Sequence, residues 1–145
     1  MKILVINGPN LNMLGTRDPS KYGTLTLDEI NNKLKDLAKS LGVTLEFFQS
    51  NHEGAIIDFI QKKAGKSDGI LINPGALTHY GYSLRDALEV TKLPTVEVHL
   101  SDIKKREDFR KIDVLVGITF KKIQGLKEKS YFLGLVELIK HIKSV

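Results

Sequence analysis

Apolar positions along the chain fall into two alternating rhythms. Short β-rich runs are followed by stretches with helical spacing. Residues 2–7 read KILVIN, a run that fits a buried strand. From Thr26 to Leu41 the apolar residues Leu27, Ile30, Leu34, Leu37, Ala38 and Leu41 share one helical face. Thr26 and Glu29 predict a capping box at the start of that helix, and Gly42 predicts its end. Residues 43–48 predict the second strand. Ser50 and Glu53 predict a second capping box, opening a helix with Ile56, Ile57, Phe59 and Ile60 that ends near Gly65. GILIN at 69–73 predicts a third strand, 78–92 a helix closed by Pro94, and TVEVH at 95–99 a fourth strand. A fifth strand is predicted within 116–124 and a last helix over 126–143.

This β-α alternation, repeated about five times, predicts a parallel sheet with helices on both faces. A single doubly wound α/β domain over residues 1–145 is expected, with the flavodoxin-like strand order 2-1-3-4-5. In such sheets ligands bind beyond the carboxyl ends of the strands. The segments after Asn7, Phe48, Asn73 and His99 are therefore the places to look for chemistry.

Composition narrows the classes. The 145 residues include no Cys and no Trp. That excludes a disulfide framework, a thiolate metal site and a thiol nucleophile. No apolar run approaches the roughly 20 residues of a membrane span, and no signal-peptide pattern is present, so a cytoplasmic protein is expected. The net charge is +5. Residues 1–100 balance eleven basic against eleven acidic side chains, whereas 101–145 carry eleven against six. An anionic substrate, a nucleic acid or a solvated helix face would each account for that excess. A nucleic-acid module would need exposed aromatics among the basic residues. Phe120, Tyr131 and Phe132 instead fall on apolar runs and are read as core.

Three segments carry candidate chemistry. The first is NGPNLNMLGTRDPSKYG at 7–23, long for a βα connection and suited to a binding loop or lid. Arg17 and Tyr22 bracket Asp18-Pro19, where Pro19 stiffens a turn. A guanidinium beside a phenol favours the phenolate, which would make Tyr22 a base. A surface loop with a solvated Arg and a packed Tyr fits the same residues. The segment lacks both G-x-G-x-x-G and G-x-x-x-x-G-K-[ST], which argues against dinucleotide and P-loop sites. A flavodoxin-type carrier would want hydroxyls here, where Asn10 and Asn12 stand.

The second segment is NPGALTHYGYSLRDAL at 73–88. Gly75 permits close backbone approach to a ligand. Thr78 is read as a helix cap, with His79 in the first turn, where the dipole disfavours imidazolium. Asp86 would lie two turns along the same face; as a lone carboxylate it also fits a surface role. The third segment is VEVHLSDIKKREDFR at 96–110. Strand alternation places Glu97 and His99 on one face. A carboxylate there favours the imidazolium and fixes its tautomer, which suits a general acid. The Leu100 and Ser101 amides would suit a carboxylate. Arg106 and Arg110, four apart, would share a helical face as anion donors or as part of a solvated helix. The four His residues lack metal-site spacing, so no metal is expected.

Taken in order, these segments resemble type II 3-dehydroquinate dehydratase over the full length. The resemblance rests on NGPNLNMLG-x-R-x-P-x-x-YG at 7–23, N-P-G-A-x-T-H at 73–79, L-R-D-A at 84–87, V-E-V-H-x-S at 96–101 and R-E-x-F-R at 106–110. It implies anti elimination of water from 3-dehydroquinate through an enolate, in the shikimate pathway, without Schiff base, metal or cofactor. It implies Tyr22 as base with Arg17 holding the phenolate, and Asn10 placing a water at the enolate. His99 is implied as acid with Glu97 behind it. Asn73, His79 and Arg110 are implied for substrate hydroxyls, and the Leu100 and Ser101 amides for the carboxylate. Arg106 is implied as a supporting or lid residue, and Asp86 as one reaching in from a neighbouring subunit. The family assembles as trimers gathered into dodecamers, with no nucleic-acid or membrane partner implied. The sequence departs from the family's His-x-Ser after F-R, where Lys111, Ile112 and Asp113 stand. It also departs from G-x-G-x-x-G-Y, where Gly125, Lys127, Ser130 and Tyr131 fall. These departures are expected to bear on subunit packing rather than on chemistry.

Overall fold

Five strands pair in parallel, as the alternation predicts, in the expected flavodoxin-like order β2-β1-β3-β4-β5. The computed structural model describes residues 1–145. The strands are β1 Lys2–Asn7, β2 Thr44–Gln49, β3 Gly69–Asn73, β4 Thr95–His99 and β5 Lys121–Gln124. The α-helices are α1 Pro19–Tyr22, α2 Leu27–Ser40, α3 Glu53–Lys63, α4 Tyr82–Thr91 and α5 Lys129–Lys143. No helix is long and apolar enough to cross a membrane.

Strand pleating divides the core. On one face Ile3, Val5, Leu71, Val96 and Val98 pack against Ile30 and Leu34 of α2 and Leu135 and Leu138 of α5. On the other, Leu4, Ile6, Ile70 and Ile72 pack against Ile56 and Ile60 of α3 and Leu84 and Leu88 of α4. Because β1, β3 and β4 are covered on both faces, their residues form near-continuous apolar runs.

Several boundaries differ from the periodicity, each for a local reason. Ser50 and Glu53 do not form a capping box. The Ser50 hydroxyl accepts from the His52 amide at 3.0 Å, and Glu53 accepts from the Leu84 amide at 3.1 Å, tying α3 to α4. The helix expected from 78 starts at Tyr82, because Gly75–His79 forms a 3-10 turn first. The fifth strand shortens to four residues, and the last helix begins three residues later than expected. Arg106 and Arg110 share no α-helix; Arg106 follows the 3-10 turn Ile103–Lys105 and Arg110 lies within a second one, Asp108–Lys111. Phe120 is 41% exposed and stacks on His141, so it is not core.

The predicted capping box at α2 forms in full. The Thr26 hydroxyl accepts from the Glu29 amide at 3.2 Å, and the Glu29 carboxylate accepts from the Thr26 amide at 3.2 Å. Thr26→Ala is expected to cost about 1 kcal/mol of stability, read as a lower urea midpoint with an unchanged slope.

Candidate active site

The strand order reverses between β1 and β3, and there the two following loops come into backbone contact. Asn7 lies beside Asn73 in the ladder, and the Gly8 amide donates to the Asn73 carbonyl at 2.8 Å. A Cβ on Gly8 would sit 2.3 Å from the Pro74 carbonyl oxygen. Gly75 has φ +59°, and a Cβ there would lie 2.9 Å from the Pro9 carbonyl oxygen. Only glycine fits both places. Beneath them the fully buried Tyr131 hydroxyl donates to Asn7 Oδ1 at 2.6 Å and accepts from Asn73 Nδ2 at 2.9 Å. Burial pushes the Tyr131 phenol above its usual range, against the Asn73 hydrogen bond, so it is a permanent donor. Asn73 Oδ1 accepts from the Gly75 amide at 3.1 Å, which fixes the orientation of the Asn73 amide at the pocket wall.

The pocket above this junction gathers Asn10, Arg17, Tyr22, Asn73, His79, His99, Leu100, Ser101, Arg106 and Arg110. These are ten of the twelve candidates. Glu97 lies just behind His99. Asp86 is elsewhere, on α4, in a groove shared with α3 residues such as Ile57. No cluster of three or more His, Asp and Glu side chains suitable for a metal forms.

The long first loop is built to present Tyr22. Asp18 caps the single turn α1, accepting from the Ser20 amide at 2.9 Å, and Pro19 occupies its first position. Asp18's carboxyl is held below the usual range by these Ser20 hydrogen bonds. Asn10 adopts φ 70°, a left-handed conformation that Asn tolerates, and its amide donates to Asn51 Oδ1 at 3.0 Å. The Tyr22 phenol oxygen accepts from Arg17 Nη2 at 2.9 Å and from Arg106 Nη1 at 2.6 Å. The Arg17 guanidinium also lies 3.8 Å over the ring. Arg106 therefore touches the same oxygen as Arg17. Two guanidiniums thus converge on one phenol oxygen.

Opposite charge chemistry sits at the end of β4. His99 Nε2 lies 2.8 Å from Glu97 Oε1, and both side chains are buried. With Nε2 committed to Glu97, Nδ1 is the nitrogen left for the pocket. Thr78 does not cap a helix. Its hydroxyl contacts Glu97 Oε1 and lies 3.0 Å from Asp113 Oδ1. Asp113 in turn accepts from Lys122 Nζ at 3.1 Å and from the Leu115 amide at 2.8 Å. Burial raises Glu97's proton affinity, outweighing the His99 hydrogen bond. Burial also acts to raise Asp113, but its contact with Glu97, the Leu115 amide and Lys122 hold it below the usual carboxylate range.

His79 is shifted toward the neutral imidazole by burial, not by a helix dipole. It ends a 3-10 turn, and burial lowers its pKa, opposed by its hydrogen bond to Ile112. Nδ1 donates to the Ile112 carbonyl at 2.7 Å, which leaves Nε2 as an acceptor. Arg110 Nε donates to Glu107 Oε2 at 2.5 Å. Asp113, Lys122, Asn7 and Tyr131 had no role in the sequence reading. Asp113 and Tyr131 stand at positions expected to affect only packing, and nothing in local spacing links them to the site.

The family model for class II dehydroquinase matches residues 1–139. A 3-dehydroquinate dehydratase of Roseiflexus castenholzii is 55% identical over 96% of this chain and 88% of that protein. One from Geotalea daltonii is 53% identical over 99% of both. The crystal structure of a type II dehydroquinase from Butyrivibrio crossotus superposes with a TM-score of 0.93 at 45% identity, covering 96% of this chain and 97% of that one.

Tyr131→Phe keeps the packing but leaves two buried Asn side chains without their partner. A loss of roughly 1–3 kcal/mol in chemical denaturation is expected.

Proposed function

The chain belongs to the class II dehydroquinase family, and on that premise we propose how its pocket performs the family's reaction. The reaction is the dehydration of 3-dehydroquinate to 3-dehydroshikimate, a hydro-lyase step of the shikimate pathway. Tyr22, as phenolate, takes a proton from C2. Arg17 and Arg106 hold the charge on its oxygen before the transfer. The developing enolate needs donors at O3, since a proton beside a ketone is acidified only when the enolate is stabilised. Asn10 places a water there.

His99 then gives a proton from Nδ1 to the departing C1 hydroxyl, with Glu97 behind it. Base and acid on opposite faces of the substrate suit anti elimination. Asn73, His79 and Arg110 bind substrate hydroxyls; the neutral His79 accepts one at Nε2. The Leu100 and Ser101 amides receive the carboxylate. The loop carrying Arg17 and Tyr22 closes over the substrate to exclude water. The observation that carries this reading is the pairing, in one pocket, of a phenol held by two guanidiniums with an imidazole held by a buried carboxylate.

We propose further that residues 1–145 act as one domain, in the cytoplasm, within a dodecamer built from trimers. Asp86 would then serve a neighbouring subunit's pocket. Its position outside its own pocket, on the same groove as the exposed Val90, supports that reading.

Incubation with 3-dehydroquinate is expected to produce the ultraviolet absorbance of a conjugated enone; a preparation that folds but makes none would overturn the assignment. Tyr22→Phe is expected to lower kcat by roughly 10²–10⁴-fold, the usual contribution of a positioned base. Substrate binding, measured by calorimetry, should persist because the ring and both guanidiniums remain. Near-normal kcat in that variant would remove Tyr22 from the mechanism.

A further inference from the structure

We propose that Glu97 and Asp113 share one proton through the Thr78 hydroxyl, and that this shared proton sets the acid strength of His99. The inference rests on the reading of His99 as general acid and deepens it. It begins from a count of hydrogens. Glu97 Oε1, Thr78 Oγ1 and Asp113 Oδ1 form a string of three oxygens with two contacts. Two contacts between oxygens need two hydrogens, and the threonine hydroxyl supplies one. Two ionised carboxylates would leave one contact as oxygen against oxygen with nothing between. One carboxyl must carry the second hydrogen.

The surroundings assign it to Glu97. Asp113 has an ammonium partner in Lys122 at 3.1 Å and a backbone donor in Leu115 at 2.8 Å, both of which favour its charged form. Glu97 is fully buried, and its Oε2 has no hydrogen-bond partner. An unpartnered buried oxygen is far less costly as the carbonyl of a neutral acid than as half of a carboxylate. The string is held in register by the backbone, since the Val114 amide donates to the Thr78 carbonyl at 2.7 Å. The resting arrangement is therefore Glu97 donating to Thr78, and Thr78 donating to ionised Asp113. The other titratable and charged groups facing the string are His99 on β4, Lys122 on β5, His79 at the end of its 3-10 turn, and Arg110 beyond it.

The consequence is chemical. A carboxylate fixed beside His99 would hold the imidazolium tightly and make it a reluctant acid. Sharing the proton keeps the negative charge one hydroxyl further away, on Asp113. A general acid works best when its proton affinity is matched to the working pH rather than maximised. Asp113 is thus a positioning residue, acting on the substrate only through Thr78, Glu97 and His99.

Two measurements on the intact protein test this. The first is infrared spectroscopy of the ligand-free enzyme at neutral pH, with ¹³C carried on Glu or on Asp carboxyls. A protonated-carboxyl C=O band that shifts with Glu labelling is expected, and it should vanish in Asp113→Ala, where the Thr78 hydroxyl is free to donate to Glu97. In Lys122→Met, Asp113 loses its counter-ion and the band should respond to Asp labelling instead. That variant also serves if Asp113→Ala does not fold. No protonated-carboxyl band in the wild type, or one unchanged in both variants, would overturn the proposal.

The second measurement is the pH dependence of kcat. In Asp113→Ala, Thr78 donates to Glu97, Glu97 ionises and the single negative charge moves next to His99. The alkaline fall in kcat should shift to higher pH by about one unit. If both carboxylates were instead ionised in the wild type, the same variant would remove a charge and shift the fall to lower pH. A downward shift or none would overturn the proposal. The infrared band needs no turnover, so a His99→Ala enzyme that still dehydrated substrate would defeat the acid assignment while leaving the shared proton standing.

Discussion

The site depends on one steric constraint: the backbones after β1 and β3 must touch. The parallel register sets Asn7 against Asn73, and Gly8 and Gly75 allow the loops to close to van der Waals contact with Pro74 and Pro9. Because β1 is flanked by β2 on one side and β3 on the other, its loop leaves from the point where the sheet changes winding direction. The pocket is built outward from that junction. The β1 loop carries Asn10, Arg17 and Tyr22 over the crevice, β3 brings Asn73, and β4 brings His99. Tyr131, reaching up from α5, locks the two asparagines beneath and joins the site to the apolar core.

Above that frame the pocket separates charge by type. Guanidiniums converge on a phenol at one place, and carboxylates stand behind an imidazole at another. The two arrangements differ in burial. Tyr22 and Arg17 belong to the β1 loop and Arg106 to the segment after β4, and all three are half-buried. Glu97 and Asp113 lie inside, where charge is costly and must be neutralised by a proton or by Lys122. The phenol and the imidazole thus stand in different surroundings: guanidinium donors around Tyr22, and buried carboxylates behind His99.

Much of this was legible as pattern. The apolar runs of β1, β3 and β4, the period of α2 and its Thr26–Glu29 box all form as read. So does the Glu97–His99 pair, because alternation along a strand is a local rule. Local rules failed where a side chain found a more distant partner. Ser50 turned to His52 and Glu53 to α4. Thr78, with the composition of a helix cap, spends its hydroxyl on Glu97 and Asp113.

By itself the sequence determined the order of elements, their parallel pairing, and three of the loops that line the pocket. Those follow from periodicity and from residue types close together along the chain. Only the tertiary structure decided which groups act on one another. Arg106 reaches the Tyr22 oxygen across 84 positions, Tyr131 reaches Asn7 across 124, and Asp113 reaches Thr78 across 35. Such pairs leave no trace in spacing. Their energies arise from burial, which removes water as an alternative partner and is a property of the packed sheet as a whole.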